Sequence, residues 1–447
     1  MSVPQAARPW FGDRSAPPET GVSPERTAEI LREAQDGLPV VDGSVALQPL
    51  LVPLANYREL LSAATAVLAL LRRTVAELAP DSKGRMAALG VDPADCPRLT
   101  DDDAFELRHC ADLARADVVI GPDGPKFIEF NVSAAFGGMV HFETHHRAWR
   151  RIAALSGMPA PIGVDPYARL AALVERLCGE LDVPPSLAMI DLVGEGYPET
   201  APRLFELQVD LLRSHGVHAE SVPLDRLADD LHLPGGPRHR LGLAQYSEQD
   251  ARALGVSSAP ALAAQQAGVT LIPSQSHWLV HSKKVLALTS EGRPWMSEQD
   301  RRLAARYLPW SRVVGDREVG WQGRRHQLPE LLVRQAERFV LKGASGWSGH
   351  EVFFGARTEP GAWADLVQQA VRTGYFVAQE VVHSQPYPLD VMEESGEVVR
   401  YTADTVISPF CVGGVGAGCF ARFVEANGPG VISAMSKARL GCLLGAA

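Results

Sequence analysis

A chain of 447 residues is long for one core, and its 46% apolar and 21% charged content is that of an ordinary globular protein. The formal net charge of −10 argues against nucleic acid or an anionic membrane surface as the main partner. Six scattered cysteines (Cys96, Cys110, Cys178, Cys411, Cys419 and Cys442) form no C-x-x-C pair, which fits a reduced, cytoplasmic protein.

Residues 1–25 are rich in Pro and small polar residues, lack an apolar signal core and read as a disordered lead-in. From Ala55 to Ala79 apolar residues recur at helical spacing, and Pro80-Asp81 ends the pattern. Within it the most apolar run, Leu60 to Leu71, is too short to span a bilayer and is expected to be buried. A helix over Asp102 to Leu113 follows, with Asp101–Asp103 as its amino-terminal cap and a solvated charge cluster. A polyamine would be an alternative partner for those acids.

Two strand-like runs come next, Ala116–Ile120 and Lys126–Asn131, separated by the turn-forming Gly121-Pro122-Asp123-Gly124-Pro125. Side chains alternate along a strand, so Arg115 and Asp117 share one face, as do Glu129 and Asn131. A paired hairpin would gather an arginine, two carboxylates and an amide. Those oxygens are hard ligands suited to Mg²⁺ on phosphate, and the arginine could balance a transferring phosphoryl group. An ordinary surface hairpin with cross-strand ion pairs would use the same residues. Downstream, His141-Phe-Glu-Thr-His145-His146 puts histidines at i, i+4 but supplies no third zinc ligand, so packing or surface roles are expected.

The middle third reads as a β-α-β unit of a parallel sheet: strand Ser186–Val193, helix Ala201–Ser214, strand Val217–Val222. Helix Ala261–Gly268 and strand Val269–Ile272 continue it. Gly194-Glu-Gly196, between strand and helix, could present amides to a carboxylate.

In the last third, strand Arg338–Lys342 runs into Gly343-Ala-Ser-Gly346-Trp-Ser-Gly349, and Glu351–Phe354 returns. The lysine precedes the glycines, unlike a Walker A loop, which this chain lacks. A strand lysine beside a mobile glycine hairpin can reach phosphates while loop amides cover others. A helix over Trp363–Thr373 precedes strand Tyr375–Val382, whose amides could meet an adenine edge while Glu380 takes a ribose hydroxyl; a plain core strand reads the same. Gly416-x-Gly418-x-x-Ala421 formally fits a dinucleotide fingerprint, but Phe420–Val424 after it reads as strand, not helix. No period of 20–50 residues repeats.

In this order the elements resemble the synthetase portion of the glutathionylspermidine synthase family, a circularly permuted branch of the ATP-grasp ligases. Arg115, Asp117, Glu129 and Asn131 match its magnesium and transition-state motif. His281-Ser-Lys283-Lys284-Val-Leu is similar to its Ser-Asn-Lys segment and implies Lys284 as a second nucleotide lysine beside Lys342. Gly346 falls in the phosphate-covering hairpin, Gln379 at the adenine hinge with Glu380 and Val382, and Arg422 in a late Gly-x-Arg segment. The chain departs from the family at Lys283, where Asn is usual, and at Trp347-Ser-Gly349, where Arg-Glu-Gly is usual; no amidase domain is evident.

The resemblance implies an α/β permuted ATP-grasp fold. Residues 26–180 would hold a helical part and the metal-site hairpin, 181–272 a Rossmann-like pre-ATP-grasp module, and 273–447 the nucleotide-binding region. It implies ATP and Mg²⁺ as cofactors, a small-molecule or peptide carboxylate and an amine acceptor as partners, and amide formation through an acylphosphate with release of ADP and phosphate. An ATP-grasp kinase and a non-catalytic nucleotide- or peptide-binding protein remain alternatives. A homodimer is the default oligomer.

Overall fold

The computed structural model describes residues 10–12, 21–36, 38, 43–192, 201–232, 237–346, 351–426, 432 and 438–446. Long apolar stretches near the carboxyl terminus build the largest sheet, of eight strands. Its centre is the antiparallel pair Val398–Val412 and Val415–Glu425. The second half of Val398–Val412 is buried at nearly every position, so both its faces are covered and it shows no polar alternation. Arg439–Ala446 adds on one side and pairs in parallel with Leu50–Pro53.

Helix Leu54–Ala76 packs its Leu60, Ala64, Val67, Leu68 and Leu71 against Cys411, Cys419, Ala421 and Phe423 of that sheet. Each fully buried leucine or valine contributes about 1.5–3 kcal/mol. At 23 residues the helix is longer than its apolar run, and by length and composition it could cross a membrane. Its apolar face lies in the protein core instead, and Glu59 pairs with Arg306. Within the expected lead-in, Trp10 and Phe11 are buried, Phe11 edge-on to Tyr387 at 5.0 Å. A helix starts at Pro24, capped by Ser23. These aromatic anchors correct the expectation of disorder at that point, because a sequence composition says nothing about two large rings finding a pocket.

The parallel sheet has four strands in the order His218–Pro223, Ser186–Asp191, Leu241–Ala244, Thr270–Ile272. Helix Ala201–Arg213 makes the first crossover. Residues 193–200, with the Gly194-Glu-Gly196 motif, lie outside the described residues. A third sheet orders Val352–Phe354, Phe339–Gly343, Phe376–Glu380 and Ser311–Val313, all antiparallel. Helix Pro360–Thr373 covers it, with Trp363 fully buried and its indole N–H on the Leu332 carbonyl at 2.9 Å.

The histidine-rich segment forms part of helix Met139–Ser156, where His145 is buried against Gln35 and His146 stacks on Phe142. Asp102 caps helix Asp103–His109 through the Phe105 amide, and Asp103 is bound by Arg85 at 2.7 and 3.0 Å. That accounts for the acidic run as cap and ion pair. The Gly416 and Gly418 pattern lies in a strand, where Gly418 at φ +89° leaves room for Phe142 and the Val164 carbonyl. It is a packing device, not a nucleotide turn.

Candidate active site

The hairpin pairs Leu113–Gly121 with Gly124–Val132. Its register sets Arg115 opposite Asn131 and Asp117 opposite Glu129, with a bulge after Asp117. Cross-strand partners on one face stand close, so all four side chains line one cleft of about 950 Å³. The neighbouring central strands add Ser408 and Arg422. Ser408 donates to Asp117 Oδ1 at 2.9 Å, Arg422 approaches that oxygen at 2.8 Å and Arg115 at 3.4 Å. All three make their closest approach to the same carboxylate oxygen. Arg115 also donates to the Gly137 carbonyl at 3.1 Å, which fixes its guanidinium over the hairpin.

The facing wall comes from the third sheet. Lys342, on Phe339–Gly343, donates to the Gln379 side-chain oxygen at 2.8 Å and to the Ile128 carbonyl at 3.2 Å. Gln379 is held in turn by donating to Ile128 and to Ser311 Oγ, each at 3.2 Å. Lys283 Nζ lies 3.1 Å from Glu129 Oε1 and also donates to the Gly346 carbonyl, while its backbone N–H holds the Ala344 carbonyl at 2.9 Å. The hairpin of one sheet and the lysine strand of another are thus tied across the cleft floor.

These contacts set the ionisation of the floor. Burial opposes charge on Glu129, but Lys283 and Lys342 outweigh it and hold the carboxyl below its ordinary value. Asp117 behaves likewise: burial is overcome by Arg422 and Arg115, and its pKa is strongly lowered. Burial brings Lys342 down to about 8 despite Glu129. Arg115, Arg422, Lys283 and Lys342 are four cations against the two carboxylates of Asp117 and Glu129, an excess of two positive charges.

Such a floor suits an anion more than a bare metal ion. Two carboxylates and the Asn131 amide are the oxygen set that Mg²⁺ takes, and the cations around them suit phosphate oxygens brought with it. The residues therefore fit a metal that arrives with a nucleotide. Asp250, Glu337, Glu380 and Asp404 place acid elsewhere on the lining, with Glu380 held by Arg338 at 2.8 Å.

Ten of the eleven residues expected at the site line this cleft: Arg115, Asp117, Glu129, Asn131, Lys342, Gly346, Gln379, Glu380, Val382 and Arg422. Lys284 is the exception. Its ammonium donates to the Leu89 carbonyl at 2.8 Å, away from the cleft, and the neighbouring Lys283 takes the inward position. The helix starting at Lys283 turns successive side chains apart by roughly 100°, so two adjacent lysines cannot both face in.

The expected adenine contacts also change. The Glu380 and Val381 amides are spent on the Trp310 and Arg338 carbonyls, and the Gln379 side chain braces Lys342. Val382 and His383, past the strand end, also line the cleft. Trp347 to Gly349 lie outside the described residues.

His281 is a lining residue that sequence reading left without a role. It is buried, stacked on Trp278 at 5.0 Å, and neither ring nitrogen meets a hydrogen-bond partner among the described residues. Burial first, then Lys283, lowers its pKa to about 4, so it faces the cleft as neutral imidazole. Its place two residues before Lys283 was the available signal.

No family model matches this chain, and no curated protein matches it. Among solved structures it is similar to a glutathione synthetase-like effector from Globodera pallida, with 12% identity and a TM-score of 0.57, over 97% of this chain and 100% of that one. At that identity the likeness is one of fold, and it spans the whole mixed α/β architecture. A provisionally assigned γ-glutamylcysteine synthetase from Methylobacillus flagellatus shows 14% identity and a TM-score of 0.37, over 71% of this chain and 76% of that one, too distant to bear on the fold.

Proposed function

We propose that this chain is a permuted ATP-grasp ligase that uses MgATP to join a carboxylate to an amine. The observation that carries the reading is the cleft floor: Asp117, Glu129 and Asn131 on one hairpin, enclosed by Arg115, Arg422, Lys283 and Lys342. The fold shared with a glutathione synthetase-like effector supports it.

Asp117, Glu129 and Asn131 would hold Mg²⁺, which when bound neutralises phosphate oxygens. Lys342 and Lys283 grip the phosphates, and Arg115 and Arg422 stand where charge gathers on the transferring phosphoryl group. One substrate carboxylate takes the γ-phosphoryl group, and ADP leaves. An amine then attacks the acyl carbon, loses a proton and releases phosphate. Neutral His281 beside this floor can hydrogen-bond a substrate group without adding charge.

The test is nucleotide product analysis with pooled amino acid or peptide carboxylates and pooled amines. ADP and phosphate released only when both pools are present support the ligase. ADP formed without amine, with a stable phosphorylated product, would make the chain a kinase. AMP release would overturn the acylphosphate route.

A further inference from the structure

The parallel sheet carries a cluster unconnected with the cleft. His218 and Glu220 lie two apart on edge strand His218–Pro223 and so project to the same side. His239, just before strand Leu241–Ala244, joins them. One ligand atom from each of the three lies within 4.8 Å of the others. His239 Nε2 is 3.3 Å from Glu220 Oε2, and His218 Nε2 is 3.8 Å from Glu220 Oε1.

A tetrahedral zinc site with bonds of about 2.0–2.1 Å has ligand-to-ligand edges of roughly 3.4 Å. The two observed separations, one to each oxygen of the Glu220 carboxylate, lie within about 0.5 Å of that edge. The imidazoles stack at 5.5 Å and 18° between planes, so their Nε2 atoms address the same carboxylate from one side.

The orientation of His239 is fixed from behind. Its Nδ1 lies 2.6 Å from Ser186 Oγ, on the adjoining strand. Without a metal, Nε2–H can donate to Glu220 while Nδ1 accepts from the Ser186 hydroxyl; with a metal bound, the same hydroxyl can accept an Nδ1 proton and leave Nε2 free to ligate, the way ligating histidines are oriented in metal sites.

We propose that His218, Glu220 and His239 form a binding site for a divalent transition metal of the zinc type, with the fourth position open to water. Two imidazoles and one carboxylate favour zinc over magnesium or calcium, which prefer all-oxygen shells. The site sits at the amino-terminal end of strand Leu241–Ala244, whereas the cleft-lining Ser247 and Asp250 follow its carboxyl end. A bound ion would tie the edge strand to the segment entering the third strand of the sheet while its fourth position stays exchangeable. Arg238 competes, since its guanidinium donates to Glu220 Oε2 at 3.0 Å and must move aside.

The test uses the full chain, free of any polyhistidine tag and stripped by a chelator, titrated with Zn²⁺ by calorimetry without nucleotide. One zinc per chain is expected, with a rise in melting temperature. His218→Ala and Glu220→Gln should each weaken binding at least roughly tenfold. His218 is 63% exposed, so that variant retains its core. Arg238→Ala should tighten binding by removing the competing cation. No saturable binding, or wild-type affinity in either His218→Ala or Glu220→Gln, overturns the site. A Co²⁺ derivative with an octahedral instead of a tetrahedral visible spectrum would overturn the geometry.

Discussion

Lys283 and Lys284 are adjacent, identical in chemistry and opposite in consequence. One ammonium sits on Glu129 at the cleft floor, and the other caps the Leu89 carbonyl. Removing Lys283 leaves Glu129 with less opposing charge and takes one phosphate donor away. Lys283→Ala should therefore weaken ATP binding at least roughly tenfold, the effect of losing about 1.4 kcal/mol. Lys284→Ala should bind ATP within about twofold of the wild type and lose only stability, on the order of 1 kcal/mol. Equilibrium binding of a fluorescent ATP analogue separates the two, and equal losses would contradict the assignment. The hairpin residues were legible from sequence because a strand has period two: once Arg115 and Asp117 share a strand, their common face follows. No such rule decides which of two lysines at a helix start turns inward. That depends on Ala344 and Gly346 arriving from a strand some sixty residues away.

At the scale of elements, strand Ser186–Asp191 ends on a buried carboxyl. Burial raises Asp191 to about 6, with Asp225 adding to the shift and Ser221 partly relieving it. A carboxyl whose folded pKa exceeds its unfolded value stabilises the fold below the unfolded pKa, near 4, and that contribution is lost as pH rises through about 6. At neutral pH the charged side chain costs on the order of 2–3 kcal/mol. Asp191→Asn should raise the melting temperature at pH 7.5 and change it little at pH 4; urea unfolding at both pH values checks this. A loss at pH 7.5 would show that the charge is compensated.

Gly418 provides a second case. A Cβ there would meet Phe142 Cε1 at 2.5 Å and the Val164 carbonyl at 2.8 Å, at a φ of +89°. Gly418→Ala should cost at least roughly 2 kcal/mol by denaturant unfolding, and an unchanged midpoint would contradict the packing role. The short strands flanking turns, such as Leu113–Gly121 and Phe376–Glu380, were readable from their apolar runs and turn residues. The long strand Val398–Val412 was not located, because its buried half is covered on both faces and its partners are distant in sequence.

On the scale of the whole molecule, the cleft is assembled from three sheets, and none of them holds it alone. The eight-stranded sheet supplies Asp117, Glu129 and Arg422, the antiparallel sheet supplies Lys342 and Gln379, and the parallel sheet contributes Ser247 and Asp250 at its carboxyl end. A ligand bridging these walls must stabilise the folded chain, and the two excess positive charges of the floor favour an anionic group at that end of it. The most direct measurement is thermal or denaturant stability of the chain with ATP and Mg²⁺ together and each alone, in the wild type, Lys342→Ala and Glu129→Gln. MgATP at about 100 times its dissociation constant should add roughly 2.7 kcal/mol to the wild type. Mg²⁺ alone should add nothing, and the MgATP gain should shrink in both variants. No stabilisation by any purine nucleotide at millimolar concentration, or a gain of the same size in both variants, would contradict a nucleotide site at this cleft.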